Sequence, residues 1–110
     1  MSKTMYKFQN DKYRKNRGGT SRVLDITCDH CETHVTYYQK DGPGMLKRMY
    51  VDRFIDKTPT GDRLMCESCQ RELGVLFTYK KENRLAYRLF AGAVVKKIVS
   101  RDKMKALENR

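Results

Sequence analysis

Two short cysteine hooks, Cys28-Asp29-His30-Cys31 and Cys66-Glu67-Ser68-Cys69, contain all 4 cysteines of the chain. The 34 residues Glu32–Met65 lie between them. A Cys-x-x-Cys turn lets two thiolates converge on one ion, and two such turns complete a tetrahedral four-sulfur shell of the kind that suits zinc. One structural zinc on Cys28, Cys31, Cys66 and Cys69 is therefore the reading of the hooks. Iron fits the same donors. A disulfide framework belongs to secreted chains, and a charged N-terminus with no apolar core segment is not a secretory leader. A redox pair would be one hook beside a βαβ pattern, which is absent here.

A chain of 110 residues is one domain, small enough that a metal supplements a thin core. Trp is absent, so 7 Tyr and 4 Phe must supply much of the packing area. No apolar run reaches bilayer length, which predicts a soluble chain of the cytoplasm, or of the nucleus in a eukaryote, without a membrane partner. The net charge of +11 and a pI near 9.7 favour polyanionic partners, nucleic acid first. A solvated surface that merely keeps the protein in solution is the plainer alternative.

Residues 1–22 read as a basic, flexible arm with Lys12, Arg14, Lys15 and Arg17 available to phosphates and Tyr6, Phe8 and Tyr13 available to stack, or else as a simple solvated tail. Residues 23–99 read as the zinc-binding β domain and 100–110 as a charged tail. Arg22–Thr27 and His34–Lys40 are predicted strands, paired as a hairpin with the first hook on its loop and Asp41-Gly42-Pro43-Gly44 as the next turn. Met45–Ile55 mixes two periodicities and is assigned to a strand with an irregular start. Arg63–Met65 and Val75–Lys80 are further strands, and Lys81-Glu82-Asn83 a turn. Leu85–Val99 is predicted as two strands or one long bent one, because β-branched residues and Gly92 disfavour a helix.

The segment Cys66-Glu67-Ser68-Cys69-Gln70-Arg71-Glu72-Leu73-Gly74-Val75-Leu76-Phe77 resembles the zinc-bearing β-tent superfamily, which includes Yippee proteins, the thalidomide-binding domain of cereblon and the regulatory domain of RIG-I-like receptors. Cys66, Cys69, Leu73, Gly74 and Phe77 carry the likeness, and Ile26–His34 is similar to the Yippee opening. The resemblance implies a mainly β fold of two small antiparallel sheets pinned by the four-cysteine zinc site. An elaborated zinc ribbon with a C-terminal helix is the alternative. The tryptophan cage of cereblon-like domains has no counterpart in a chain without Trp.

Four sulfurs close a zinc shell, whereas a catalytic zinc keeps one position open. With no spare cysteine, no Gly-rich phosphate loop and no catalytic triad pattern, the chain reads as a non-enzyme. Asp52 and Asp56 as paired carboxylates, and His30 or His34 as a metal ligand, are the weaker options; exposure or hydrogen bonding near the hook is the expected role of the histidines. Outside the arm, Lys47, Arg48, Lys80, Lys81, Arg84 and Arg88 are candidate nucleic-acid contacts, Lys40 and Arg53 cluster with the first of them, and Lys96, Lys97, Arg101, Lys103 and Lys105 form a third basic group. Tyr37, Tyr38, Tyr50 and Tyr87 could stack bases, but core packing is the commoner fate of strand aromatics. Nucleic-acid binding, RNA before DNA, is the leading expectation and a protein-interaction adaptor of Yippee-like type the second.

Overall fold

The computed structural model describes residues 21–42 and 44–100. These residues build seven strands: β1 Ser21–Cys28, β2 His34–Asp41, β3 Arg48–Tyr50, β4 Arg63–Met65, β5 Glu72–Tyr79, β6 Arg84–Leu89 and β7 Val94–Ile98. They form two antiparallel sheets, a three-stranded one in the order β2-β1-β7 and a four-stranded one in the order β3-β6-β5-β4. The expected two-sheet β architecture is therefore present, and no α-helix occurs among the described residues. A helix in the tail would fall on residues 101–110, outside the described ones, as do residues 1–20 of the expected arm. Its last two residues, Ser21 and Arg22, instead open β1.

Strands β1 to β6 contribute side chains to the layer between the sheets, and β7 only the partly buried Val94. Leu24, Ile26 and Cys28 of β1, Tyr38 of β2, Met49 of β3, Leu64 of β4, Leu73 of β5 and Tyr87 of β6 meet there with Phe54, Cys66 and Ala93. Val23 and Tyr37, on the opposite face of β1 and β2, are covered by Val99 and Ile55. The four candidate tyrosines are all buried, which makes them core residues rather than a stacking platform. Two of their hydroxyls have internal work: Tyr38 accepts the Tyr50 amide at 2.6 Å, and Tyr87 donates to the Gly61 carbonyl at 2.6 Å. Burial pushes the Tyr38 phenol up, so it stays a neutral hydroxyl.

The segment Met45–Ile55 departs from the strand prediction. Only Arg48–Tyr50 pairs, opposite β6, and the chain then turns through a 3-10 segment, Val51–Arg53. Polar anchors explain the departure. Asp52 reaches Arg84 at 2.6 Å, and Arg53, 1% exposed, reaches Asp41 at 3.0 Å, and these two contacts hold the turn. Gln39 donates to the same Asp41 at 3.0 Å, so the buried guanidinium sits in a polar nest rather than in bare hydrocarbon. Leu85–Val99 resolves as two strands, β6 and β7, and β5 begins at Glu72, three residues before the predicted start.

Gly74 is needed for close packing. A Cβ there would lie 2.6 Å from the Arg88 carbonyl oxygen of the neighbouring strand, a backbone atom that cannot swing aside. After β6 the chain crosses between sheets through Phe90–Ala93: the Phe90 amide donates to Leu73 O at 3.0 Å, and Ala93 O accepts from the Asp29 amide at 3.0 Å. This crossover ties the four-stranded sheet to the first hook.

Candidate metal centre and basic faces

The two hooks have the same backbone plan at an offset of 38 residues, Cys28 to Cys66. In each, the amide four residues after the first cysteine turns back to that cysteine's carbonyl: Glu32 to Cys28 at 2.8 Å, and Gln70 to Cys66 at 2.9 Å. The cysteine amide in turn donates to the residue beyond, Cys28 to Thr33 O at 2.9 Å and Cys66 to Arg71 O at 2.9 Å. Glu32 and Gln70 take left-handed φ values of 64° and 66° to close these loops. The flanking strands repeat too. Ile26 pairs with Thr36 and Thr27 with His34 across an irregularity, as Leu64 pairs with Gly74 and Met65 with Glu72.

This plan brings Cys28, Cys31, Cys66 and Cys69 together, with all four sulfurs within 4.8 Å of one another. Sulfurs from opposite hooks approach closely, Cys31 to Cys66 at 3.4 Å and Cys28 to Cys69 at 3.8 Å. Bonds of about 2.3 Å to a tetrahedral ion set an edge of about 3.8 Å between sulfurs, whereas a disulfide needs about 2.05 Å. All four are free thiols in a geometry that fits a metal ion and not a crosslink. The hydroxyl and amide of Thr33 hold the Cys31 thiol down to about 6 against burial, with Cys66 and Cys69 acting in the same direction. The Arg71 amide lowers the Cys69 thiol, but burial and the sulfurs of Cys66, Cys31 and Cys28 prevail and push it up to about 11. A bound cation removes this conflict by favouring the thiolate at every position.

Neither histidine joins the sulfurs. His30 is exposed on the first hook. His34 lies behind it between two carboxylates, with Nδ1 at 2.8 Å from Asp25 and Nε2 at 2.9 Å from Asp56. Asp56 also accepts the Tyr37 amide at 2.7 Å and the Thr36 hydroxyl at 2.9 Å. Burial raises the Asp56 carboxyl, but the Tyr37 amide, His34 and Thr36 outweigh it and hold the group below the usual carboxylate value. Asp52 and Asp56 therefore serve separate contacts and do not form a carboxylate pair.

The candidate basic residues separate into different environments. Lys12, Arg14, Lys15 and Arg17 lie outside the described residues. Lys80 and Lys81 are exposed on the turn between β5 and β6. Arg84 is a correction: it is 7% exposed, held by Asp52 at 2.6 Å and Glu82 at 2.9 Å, with its guanidinium 3.8 Å from the centre of the Tyr50 ring. Two carboxylates and a ring hold the guanidinium inside the fold, so it presents little charge at the surface.

Lys47, Arg48 and Arg88 border an open groove of about 510 Å³, whose other walls include Met45, Phe77 and Phe90. A second opening of about 410 Å³ is bordered by Arg22, Lys40, Lys96 and Lys97. Among the described residues no carboxylate lines either one. Sequence spacing hides the second cluster, because its members come from three strands. The register sets Arg22 opposite Lys40 and lays β7 along the other side of β1. Phe90 carries no signal in the sequence at all; it becomes visible only as the exposed ring of the crossover. Among the described residues no helix is long and apolar enough to cross a membrane. Comparisons of the chain with protein-family models, with curated proteins and with solved structures find no match.

Proposed function

We propose that this chain is a zinc-stabilised β domain that binds nucleic acid, RNA in preference to DNA, and has no catalytic role. The observation that carries the reading is the pair of openings without a lining carboxylate, one bordered by Lys47, Arg48 and Arg88 and the other by Arg22, Lys96 and Lys97. Cations so placed gain most from a partner rich in phosphate, and the net charge of +11 adds long-range attraction. Phe90, half exposed in the same groove as Arg48 and Arg88, suits an unpaired base, which favours RNA. The β-tent resemblance points the same way, because it includes the regulatory domain of RIG-I-like receptors, which binds RNA ends through a basic face. Four sulfurs at tetrahedral spacing support zinc held structurally, since they leave no coordination position for a reacting water.

The test is a salt titration of binding to a labelled RNA oligonucleotide. Log affinity should fall linearly with log salt, by about 0.7 for each phosphate neutralised on a single strand. Removing residues 1–17 should reduce that slope. No binding at low salt would end the reading. A second reading, a protein-interaction adaptor, is favoured by the exposure of Met45, Phe90 and Ile98. It is supported instead if a partner protein is retained after nuclease treatment while RNA affinity is absent.

A further inference from the structure

The groove bordered by Arg48 and Arg88 has an internal tension. Arg48 on β3 stands directly opposite Arg88 on β6, and like charges in that register repel. Neither forms an ion pair with a carboxylate among the described residues, although Glu82 acts on Arg48 from further off. Each guanidinium lies over a ring instead, Arg48 at 4.0 Å from the centre of Tyr79 and Arg88 at 4.9 Å from that of Phe77. Arg48 also donates from Nε to the Tyr50 hydroxyl at 3.2 Å, which fixes the plane of its fork. A guanidinium held over a ring keeps its remaining in-plane N–H donors for a further acceptor. An anion seated between the two would relieve their repulsion.

Beside them the groove is apolar. Phe90 is 45% exposed and Met45 77%, and Leu46, Leu89 and Val94 extend the same wall. Its volume, about 510 Å³, is within the range of small-ligand sites. A flat apolar surface next to a pair of planar cations matches a nucleotide, whose base is planar and whose phosphate is anionic. An acidic peptide supplies the charge but no planar group for Phe90. A duplex keeps its bases stacked on one another and cannot fill the apolar part.

We propose, resting on the nucleic-acid reading, that this groove seats one unpaired base of single-stranded RNA against Phe90, with an adjoining phosphate held between Arg48 and Arg88. The site is then a base-accepting subsite, distinct from the sequence-blind phosphate contacts elsewhere on the surface.

The chain contains no Trp, so Phe90→Trp installs a single reporter in the full-length protein. Oligouridylate of about eight nucleotides, within the span of known single-strand sites, should quench its fluorescence. A duplex of the same length, inorganic polyphosphate and polyglutamate should not. Phe90→Ala and Phe90→Leu should each weaken single-strand binding about tenfold while leaving duplex binding unchanged. Arg48→Gln together with Arg88→Gln should lower the salt slope by about 0.7. Circular dichroism melts of each variant check that folding is retained. If single strands bind wild type and both Phe90 variants equally, the subsite is refuted and the general reading survives. Quenching by polyphosphate as strong as by RNA refutes it too, and quenching by polyglutamate alone assigns the groove to a protein partner. If the wild type binds no nucleic acid at low salt, the underlying reading fails, and the subsite with it.

Discussion

The first hook and the second share a backbone but not a neighbourhood. Each is closed by matching hydrogen bonds, a left-handed residue after its second cysteine and an irregular strand pair behind it. Even the side-chain pair behind each one recurs at the same offset, His34 with Asp25 in the first and Glu72 with Arg63 in the second. The surroundings then diverge. The first hook stands on two strands of 8 residues, is flanked by β7, and is tied through His34 and Thr36 to Asp56. The second is entered from a strand of only 3 residues, and its Arg63–Glu72 pair, at 2.6 Å, is about half exposed. Local backbone geometry therefore places the sulfurs, while tertiary contacts decide how firmly each half is held. A repeat in the metal frame does not entail a repeat in stability.

The largest expected effect treats the hooks as equals. Cys28→Ser with Cys31→Ser, or Cys66→Ser with Cys69→Ser, should each abolish metal retention and cooperative melting. Structural zinc contributes about 10 kcal/mol or more in small metal domains, comparable with a whole domain's stability. Elemental analysis and thermal melts with and without a chelator measure this. A protein that stays folded after losing one hook but not the other would break the equivalence.

Next come the paired positions Gly74 and Thr36. Gly74→Ala forces a Cβ against the Arg88 carbonyl and should cost about 3 kcal/mol by urea denaturation. Thr36→Ala removes the hydroxyl contact to Asp56 and should cost about 1 to 2 kcal/mol. The reverse order would mean that strand approach at Gly74 is looser than the structure shows.

A third comparison concerns acid. Because its folded value is lowered, Asp56 adds stability that is present above the ordinary carboxylate pKa of about 3.8 and is lost as pH falls through the depressed folded value. Asp56→Asn should lower stability at neutral pH and flatten the acid limb of the stability curve. Glu72→Gln, in an exposed pair, should change stability by no more than about 1 kcal/mol. Matching pH profiles for wild type and Asp56→Asn would show that the anchoring of the first hook is not electrostatic.

The smallest effect returns to symmetry. Glu32→Gly and Gln70→Gly each relieve a left-handed backbone, worth about 1 to 2 kcal/mol, partly offset by the greater freedom of glycine when unfolded. Each should raise stability by about a few tenths of a kcal/mol, and equally. Unequal shifts would place strain in one hook only.

Much of this arrangement is legible in the chain itself. The hooks announce the sulfur cluster because Cys-x-x-Cys spacing acts locally, and alternation locates β1, β2 and the β6–β7 break at Gly92. What stays hidden depends on distant partners. The turn at Val51–Arg53 is held by Asp41 and Arg84 from across the fold, and nothing near Asp52 in the chain signals them. Arg84 reads as surface charge for the same reason. Glu32 and Gln70 escape notice because left-handed positions are normally read from Gly or Asn. Phe90 escapes it because a single aromatic after a strand has no period to reveal it.

The crossover Phe90–Ala93 links these regions in one further way. Its first residue borders the groove, and its last is hydrogen-bonded to the turn that carries Cys28 and Cys31. Thermodynamic reciprocity then applies: if capturing the cation sharpens the shape of the groove, whatever fills the groove must strengthen the hold on the cation by an equal free energy. Occupancy at one end would then register as a change in chelator resistance at the other, without any atom of the two ligands touching.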